Sequence, residues 1–314
     1  MDVIKASGDW PELKNTILVA AFSGWNDAAD AATGAVRYLT EQVAAEPFAT
    51  LDPEEFYVFT ETRPLTRLTE DDTREISWPT NQFYAQPVLN NLNRSLVTLV
   101  GVEPNLRWRT FGDAFIEICR RCNVTEVVLV GALVAPVPHT RPVPITGSAT
   151  SDDRLEKVRK IGASSSRYEG PTGIVGVLSQ RCQQENISLT SFWGAAPSYL
   201  TASPNWKVTS GLLDALNRVL DLQLDLTSLH NMSRRFENQV SQAVARDEQV
   251  AAFVQALEEQ YGMDEELEDE ETNDPDRLDY DEGDTELPSA ELLIQELEKQ
   301  IRERREREQR PDQD

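Results

Sequence analysis

Three uninterrupted apolar runs, each followed by a loop of unusual composition, constrain this chain more than any other feature. They read TILVAAF from Thr16, LVTLVG from Leu96 and EVVLVGALV from Glu126. A strand with one face in water alternates polar and apolar residues, whereas continuous Val, Ile, Leu and Ala suits a strand covered on both faces. The loops that follow are SGWNDAAD (residues 23–30), GVEPNLRW (101–108) and PHTRPVP (138–144), and a fourth, RYEGPTG (167–173), opens a helical stretch. Ligands of open α/β sheets sit outside the carboxyl ends of strands, so the four loops are expected on one rim.

Between the runs the pattern alternates. An Ala-rich helical stretch follows Asn26 and Asp27, and EFYVFTE (55–61) reads as a strand that pairs with EISW (75–78) in a hairpin. A helix is predicted over 104–121 with Pro104 in its first turn, where the missing N–H is not needed. A charged helix at 152–160, a helix starting near Thr172, the strand ISLTSFWGA and a helix over 204–220 complete the series. Strands alternating with helices imply an α/β fold over residues 1–226, a three-layer α/β/α sandwich with a mostly parallel central sheet and a C-terminal helical extension.

Beyond residue 226 the strand signals stop. Phe236, Val240, Ala243, Asp247, Val250, Val254, Leu257 and Tyr261 repeat at steps of four and three, which predicts one long packing helix over 227–262. Residues 263–287 read as a mobile acidic linker and 288–314 as a final helix and tail, with Leu293, Leu297 and Ile301 on one face. The hydrophobic share of 39% is lean for a wholly globular chain, which agrees with a tail outside the core. Of the net charge of −24, the stretch 258–287 supplies −15, from sixteen acidic residues against Arg277 alone. Acidity of this kind opposes binding to nucleic acid or anionic lipid. The start MDVIKASGDW has no apolar signal region, no run approaches the ~18 apolar residues of a membrane span, and three cysteines make no disulfide framework. The expectation is a cytoplasmic protein.

None of the loops holds a self-sufficient catalytic motif. Cys119 and Cys122 form a CxxC between helix and strand, the reverse of the order that activates a thiol at a helix N-terminus, and His139 alone cannot complete a zinc site. Ser23 stands where a nucleophile elbow would place it, with Ala21 and Trp25 in the glycine positions of that motif, and His139 is the one histidine on a rim loop. Asp27 and Asp30 read as caps of the helix that follows. For GPTGIVG two readings stand: anion binding at free N–H groups near Thr172, or close packing of helix on sheet through Gly173 and Gly176. Trp25 and Trp108 are lids over a pocket or anchors for a protein, and Arg107, Arg109 and Arg141 fit the second use. The residues expected around one cleft are Trp25, Asn26, Asp27, Glu103, Asn105, Arg107, Trp108, His139, Arg141, Glu169 and Thr172, with no metal, no cofactor and no catalytic set.

In combination, FSGWNDAADAA, GVEPNLRW, LVGALVAPVPHTRPVPITG and SRYEGPTGIVGVL resemble the proteasome assembly chaperone family, second chaperone type, in its bacterial branch, over residues 17–220. The resemblance implies an α/β/α domain similar to the purine nucleoside phosphorylase and hydrolase folds. It also implies a non-enzymatic role, since eukaryotic and archaeal members assemble proteasome rings. Ring docking in that family uses a C-terminal hydrophobic-tyrosine-any motif, which the last six residues, Gln309 to Asp314, do not contain. The resulting expectation is a protein-binding, chaperone-like module with a proteasome-related protein partner, homo-oligomeric, a trimer being one option. The alternative is a small-molecule enzyme of the nucleoside phosphorylase or hydrolase kind working at the same rim.

Overall fold

The apolar runs become the centre of a sheet. A computed structural model describes residues 3–69, 71–89, 93–165, 168–200 and 202–270, with side chains described through residue 261. The four longest strands are β2 (Thr16–Ser23), β7 (Leu96–Val102), β8 (Val124–Ala135) and β10 (Ser188–Pro197). They lie side by side in the order β7-β2-β8-β10, all parallel. Antiparallel strands extend this block on both flanks. β6 (Asn81–Gln86), β3 (Glu46–Leu51) and β1 (Ile4–Ala6) follow β7, and β9 (Ile145–Ala149) follows β10. The parallel expectation thus holds for the central ladders, while the short flanking strands run the other way. Those flanking strands carried too few consecutive apolar residues to be read in advance.

Helices cover both faces, as three layers require. On one face α2 (Trp108–Arg121) and α4 (Ile174–Gln184) pack Phe111, Phe115 and Leu178 against Leu18, Phe22, Leu99 and Leu129. On the other, α1 (Ala31–Gln42), α3 (Asp152–Lys160) and α5 (Trp206–Leu220) pack Val36, Leu39, Val158 and Leu212 against Ile17, Val19, Val128 and Val130. Alternate residues of β2 therefore enter opposite cores, which is why its whole run is apolar.

Three predicted elements differ. EFYVFTE is not a strand: Phe56 is fully buried edge-to-face against Phe111, with ring centroids 5.2 Å apart, and its carbonyl accepts the N–H groups of Asn105 and Leu106. The hairpin instead joins β4 (Leu65–Leu68) to β5 (Arg74–Ser77) as a separate two-stranded sheet. Those two bonds to Phe56 also hold residues 105 and 106 out of helical geometry, so α2 begins at Trp108 rather than Pro104. The long seam helix is two helices, α6 (Thr227–Val244) and α7 (Glu248–Glu270). Asp247 breaks it: its carboxylate accepts the N–H groups of Gln249 (2.9 Å) and Val250 (3.2 Å) and so caps α7. The backbone of α7 continues through residue 270, into the stretch expected to be a linker, and the remainder of that stretch and residues 288–314 lie outside the described residues.

Candidate functional site

Because β7, β2, β8 and β10 are parallel, the loops leaving them emerge at one end of the sheet. α4 runs back from that end to the start of β10, which places Gly173 and Ile174 there too. The loops are tied by Glu103. Its Oε1 accepts from Asn26 Nδ2 (2.8 Å) and from the Ile174 N–H at the start of α4 (2.7 Å), and its own N–H donates to the Ser23 carbonyl (2.9 Å). A carboxylate is stabilised at a helix N-terminus by the unpaired N–H groups and the helix dipole. Asn26, almost wholly buried, adds a bond from the Ala132 N–H to its carbonyl (2.9 Å) and so joins the β8 edge to this knot. A Cβ on Gly173 would lie 2.3 Å from the Asn26 amide and 2.6 Å from Glu103 Oε1, so only glycine lets the three loops meet. Of the two readings of GPTGIVG, close approach is the one observed at Gly173, and the anion at the start of α4 is the protein's own Glu103.

Asp27 turns inward. Its Oδ1 accepts from the N–H groups of Ala32 (2.7 Å) and Thr33 (3.2 Å), and Oδ2 from the Thr33 hydroxyl, so it caps α1. Burial raises its pKa, and the hydrogen bonds from Thr33 and Ala32 offset part of that rise. Ala29 and Asp30 that follow both take left-handed backbone conformations, at φ of 53°.

Beside the knot lies an open cleft of about 370 Å³, lined by Ser23, Gly24, Glu61, Thr62, Val102, Glu103, Pro104, Asn105 and Trp108. Asn105 Oδ1 holds the 58–62 turn through the Val58 N–H and the Thr62 hydroxyl, both at 3.0 Å. The Trp108 indole N–H donates to the Pro104 carbonyl, and Arg107 forms an ion pair with Glu55. Trp25 stands exposed on the β2 loop. Glu169 and Thr172 are exposed on the loop before α4. Glu61 and Thr62 were missed from sequence because Glu61 ends, and Thr62 follows, a run read as a strand.

His139 and Arg141 belong to a different place. They line a narrow crevice with Pro138, Leu200, Lys207 and Phe236, under α5 and α6. Both His139 ring nitrogens are engaged, Nδ1 with Tyr199 Oη (2.6 Å) and Nε2 with Ser241 Oγ (3.0 Å). His139 is therefore not poised as a base for Ser23. Burial, helped by the Lys207 ammonium, lowers its pKa. Cys119, Cys122 and Cys182 are buried thiols, with burial pushing Cys122 and Cys182 up to about 12. Among the described residues no group of three or more His, Cys, Asp or Glu side chains could hold a metal ion.

The most exposed apolar residues gather at the same end. Trp25, Leu106, Leu133, Val134 and Tyr168 stand on the strand-end loops or at the tip of β8. β3 runs parallel to β7 through the intervening β6, so the hairpin inserted between β3 and β6 rises from this end as well, with Leu65, Leu68, Ile76 and Trp78 exposed on and beside it. Of the ten large exposed apolar side chains among the described residues, Val88 alone lies at the opposite end.

Comparison with known proteins places this geometry. A model of the PAC2 family matches residues 21–244. The chain is 39% identical to a proteasome-assembly chaperone homologue of Mycobacterium tuberculosis, over 76% of this chain and 99% of that one, with a TM-score of 0.68. It is 36% identical to a PAC2 family protein of Streptomyces avermitilis, over 76% and 99% of the two chains, with a TM-score of 0.67. An archaeal proteasome activator of Pyrococcus furiosus shares the fold at 16% identity, over 77% and 99%, with a TM-score of 0.61. No curated protein sequence matches the chain significantly.

Proposed function

The chain belongs to the PAC2 family, and from that premise we propose that it is a chaperone-like module that captures a protein partner at the carboxyl end of its sheet without catalysing a reaction. The observation that carries this reading is the concentration of exposed apolar side chains at that end. Monomeric proteins scatter exposed hydrophobics over their surface, and a gathering of them marks an interaction site. Trp25, Tyr168 and the rim arginines are also the residue types that dominate binding hot spots. The partner in this reading is proteasome-related, by analogy with the Mycobacterium tuberculosis proteasome-assembly chaperone homologue and the Pyrococcus furiosus proteasome activator, and the module works in the cytoplasm as a homo-oligomer, a trimer being one option. Among the described residues no helix is long and apolar enough to cross a membrane, which agrees with that setting. Neither a metal nor a cofactor enters it, and the net charge of −24 argues against nucleic acid.

The test is affinity purification of the full chain beside a Trp25→Ala, Leu106→Ala double variant, with the bound proteins identified. Both side chains are exposed, so folding is retained, and recovery of proteasome components by the parent but not the variant is the expected result. Equal recovery by both would remove the docking face from the argument. The cleft of about 370 Å³ favours one second reading, a small-molecule enzyme. Turnover of a nucleoside, ester or phosphorylated metabolite that is lost in Ser23→Ala, Glu61→Gln would establish it instead.

A further inference from the structure

His139 joins the α/β domain to the C-terminal helices at a point where the geometry suits only one of its protonation states. The first half of α6 is rooted in the main core through Leu229, but its second half and α7 meet the domain through a separate small cluster in which Tyr199 and Leu200 receive Val240, Val254 and Leu257. Over this cluster sits the His139 ring, and each of its nitrogens bonds to a different part: Nδ1 to Tyr199, beyond the end of β10, and Nε2 to Ser241 on α6. The Tyr199 oxygen already accepts the His139 backbone N–H (2.7 Å), and among the described contacts Nδ1 is the acceptor within reach of its single proton, which is assigned there. Nδ1 is thereby the acceptor, and the ring proton resides on Nε2 and is given to Ser241. The neutral ring is fully bonded in this arrangement.

A second ring proton would disrupt it. Nδ1–H would point at an oxygen that already receives one N–H, and the Tyr199 hydroxyl proton would lose its acceptor. The surrounding charges are mixed. From α5, Lys207 donates to the His139 carbonyl and pairs with Glu237 of α6 (3.0 Å), and Glu258 of α7 accepts the Thr140 hydroxyl. Arg141, on the same loop as His139, lines the crevice with it. Burial and the Lys207 charge together outweigh the pull of Glu237 and Glu258, so the enclosed ring holds its second proton less tightly than a free histidine.

We propose that His139 is the bolt of an acid-released latch, holding the outer half of α6 and all of α7 on the α/β domain while neutral and letting them go when protonated. The sign follows from linkage. The ring has a lowered pKa when enclosed and its ordinary value once the helices lift, so protons bind the open form more tightly. Closure is strongest above the ordinary histidine pKa of about 6.5. It weakens as pH falls below that, by up to about tenfold per pH unit, until the pKa of the enclosed ring is passed.

Only two histidines are present, His139 and His230, so the ring signals of the full chain can be assigned by NMR with a His230→Gln variant. The experiment follows His139 protonation together with hydrogen exchange of residues 236–261 from pH 7.5 to 5, corrected for intrinsic rates. Exchange there is expected to rise as pH falls through the histidine transition, by up to about tenfold per pH unit, while β2 and β8 stay protected. In His139→Gln the rise should vanish. Tyr199→Phe removes the hydroxyl that favours the neutral ring, so the pKa of the enclosed ring should move back toward the ordinary value and the rise should shrink, which decides the matter even where the glutamine variant folds poorly. Exchange that ignores the His139 midpoint, or that keeps its pH dependence in His139→Gln, would overturn the latch.

Discussion

At Gly173 a single methyl group decides whether the rim can close. Its Cβ would overlap both the Asn26 amide and the Glu103 carboxylate, which are bonded to each other and, through Glu103, to the Ile174 N–H, so that moving either breaks a hydrogen bond. Gly173→Ala is expected to cost about 1–3 kcal/mol, the range for overpacking a filled site, measured by urea denaturation. Asp27 permits a test of charge at the same end. Burial raises its pKa, so the folded protein holds this proton more tightly than the unfolded chain. Its contribution to stability is full below the ordinary aspartate value, near 3.8, and declines as pH rises through the elevated folded value. The stability difference between the parent and Asp27→Asn should therefore shift in favour of the variant between pH 4 and 7, and a flat difference would refute the assignment. The capping role of Asp27 was legible because an aspartate at a helix start is a local signal, although its N–H partners lie five and six residues on rather than the usual two or three. The bond from Ile174 to Glu103 was not, since the partners are 71 residues apart and only the sheet brings them together.

Among the elements, the break between α6 and α7 shows how an apolar period can run through a helix end. The steps of four and three continue across residue 247, but the residue on the seam there is an aspartate, and its carboxylate satisfies free N–H groups better than it could face an apolar surface. Asp247→Ala should cost about 1 kcal/mol as a lost cap, seen as faster hydrogen exchange in the first turn of α7. Leu257, buried in the cluster with Tyr199, should cost about 2–4 kcal/mol when cut to Ala. Because that cluster is separate from the main core, the loss should register in α6 and α7 before it registers in the sheet. The misread run at 55–61 has a related cause. Phe56 and Tyr57 are buried as strand residues would be, but they fill the space beneath a loop, and no local pattern separates the two situations.

At the scale of the whole molecule, the exposed hairpin is the element that isolated-chain physics supports least. A lone two-stranded ribbon is marginally stable in water, and this one carries Leu65, Leu68 and Ile76 in solvent. Leu68→Ser with Ile76→Ser should leave the melting temperature unchanged and reduce capture of the partner by about 1 kcal/mol or more, if the hairpin shares the docking face. A fall in melting temperature with capture intact would instead make these side chains structural. Sequence by itself determined the parallel centre of the sheet, because only strands covered on both faces tolerate uninterrupted apolar runs, and it determined that the strand-end loops share a rim, because parallel strands end together. It also carried the family, through four loop motifs in order. Tertiary structure alone decided which rim residues meet. Hydrogen-bond direction turned Asp27 into α1, the α4 N-terminus engaged Glu103, and the approach of α6 enclosed His139 in a crevice separate from the cleft that Ser23 lines. Such choices depend on which distant groups remain unpaired once the layers have packed, and a side chain's identity does not encode the position of a partner supplied by another element.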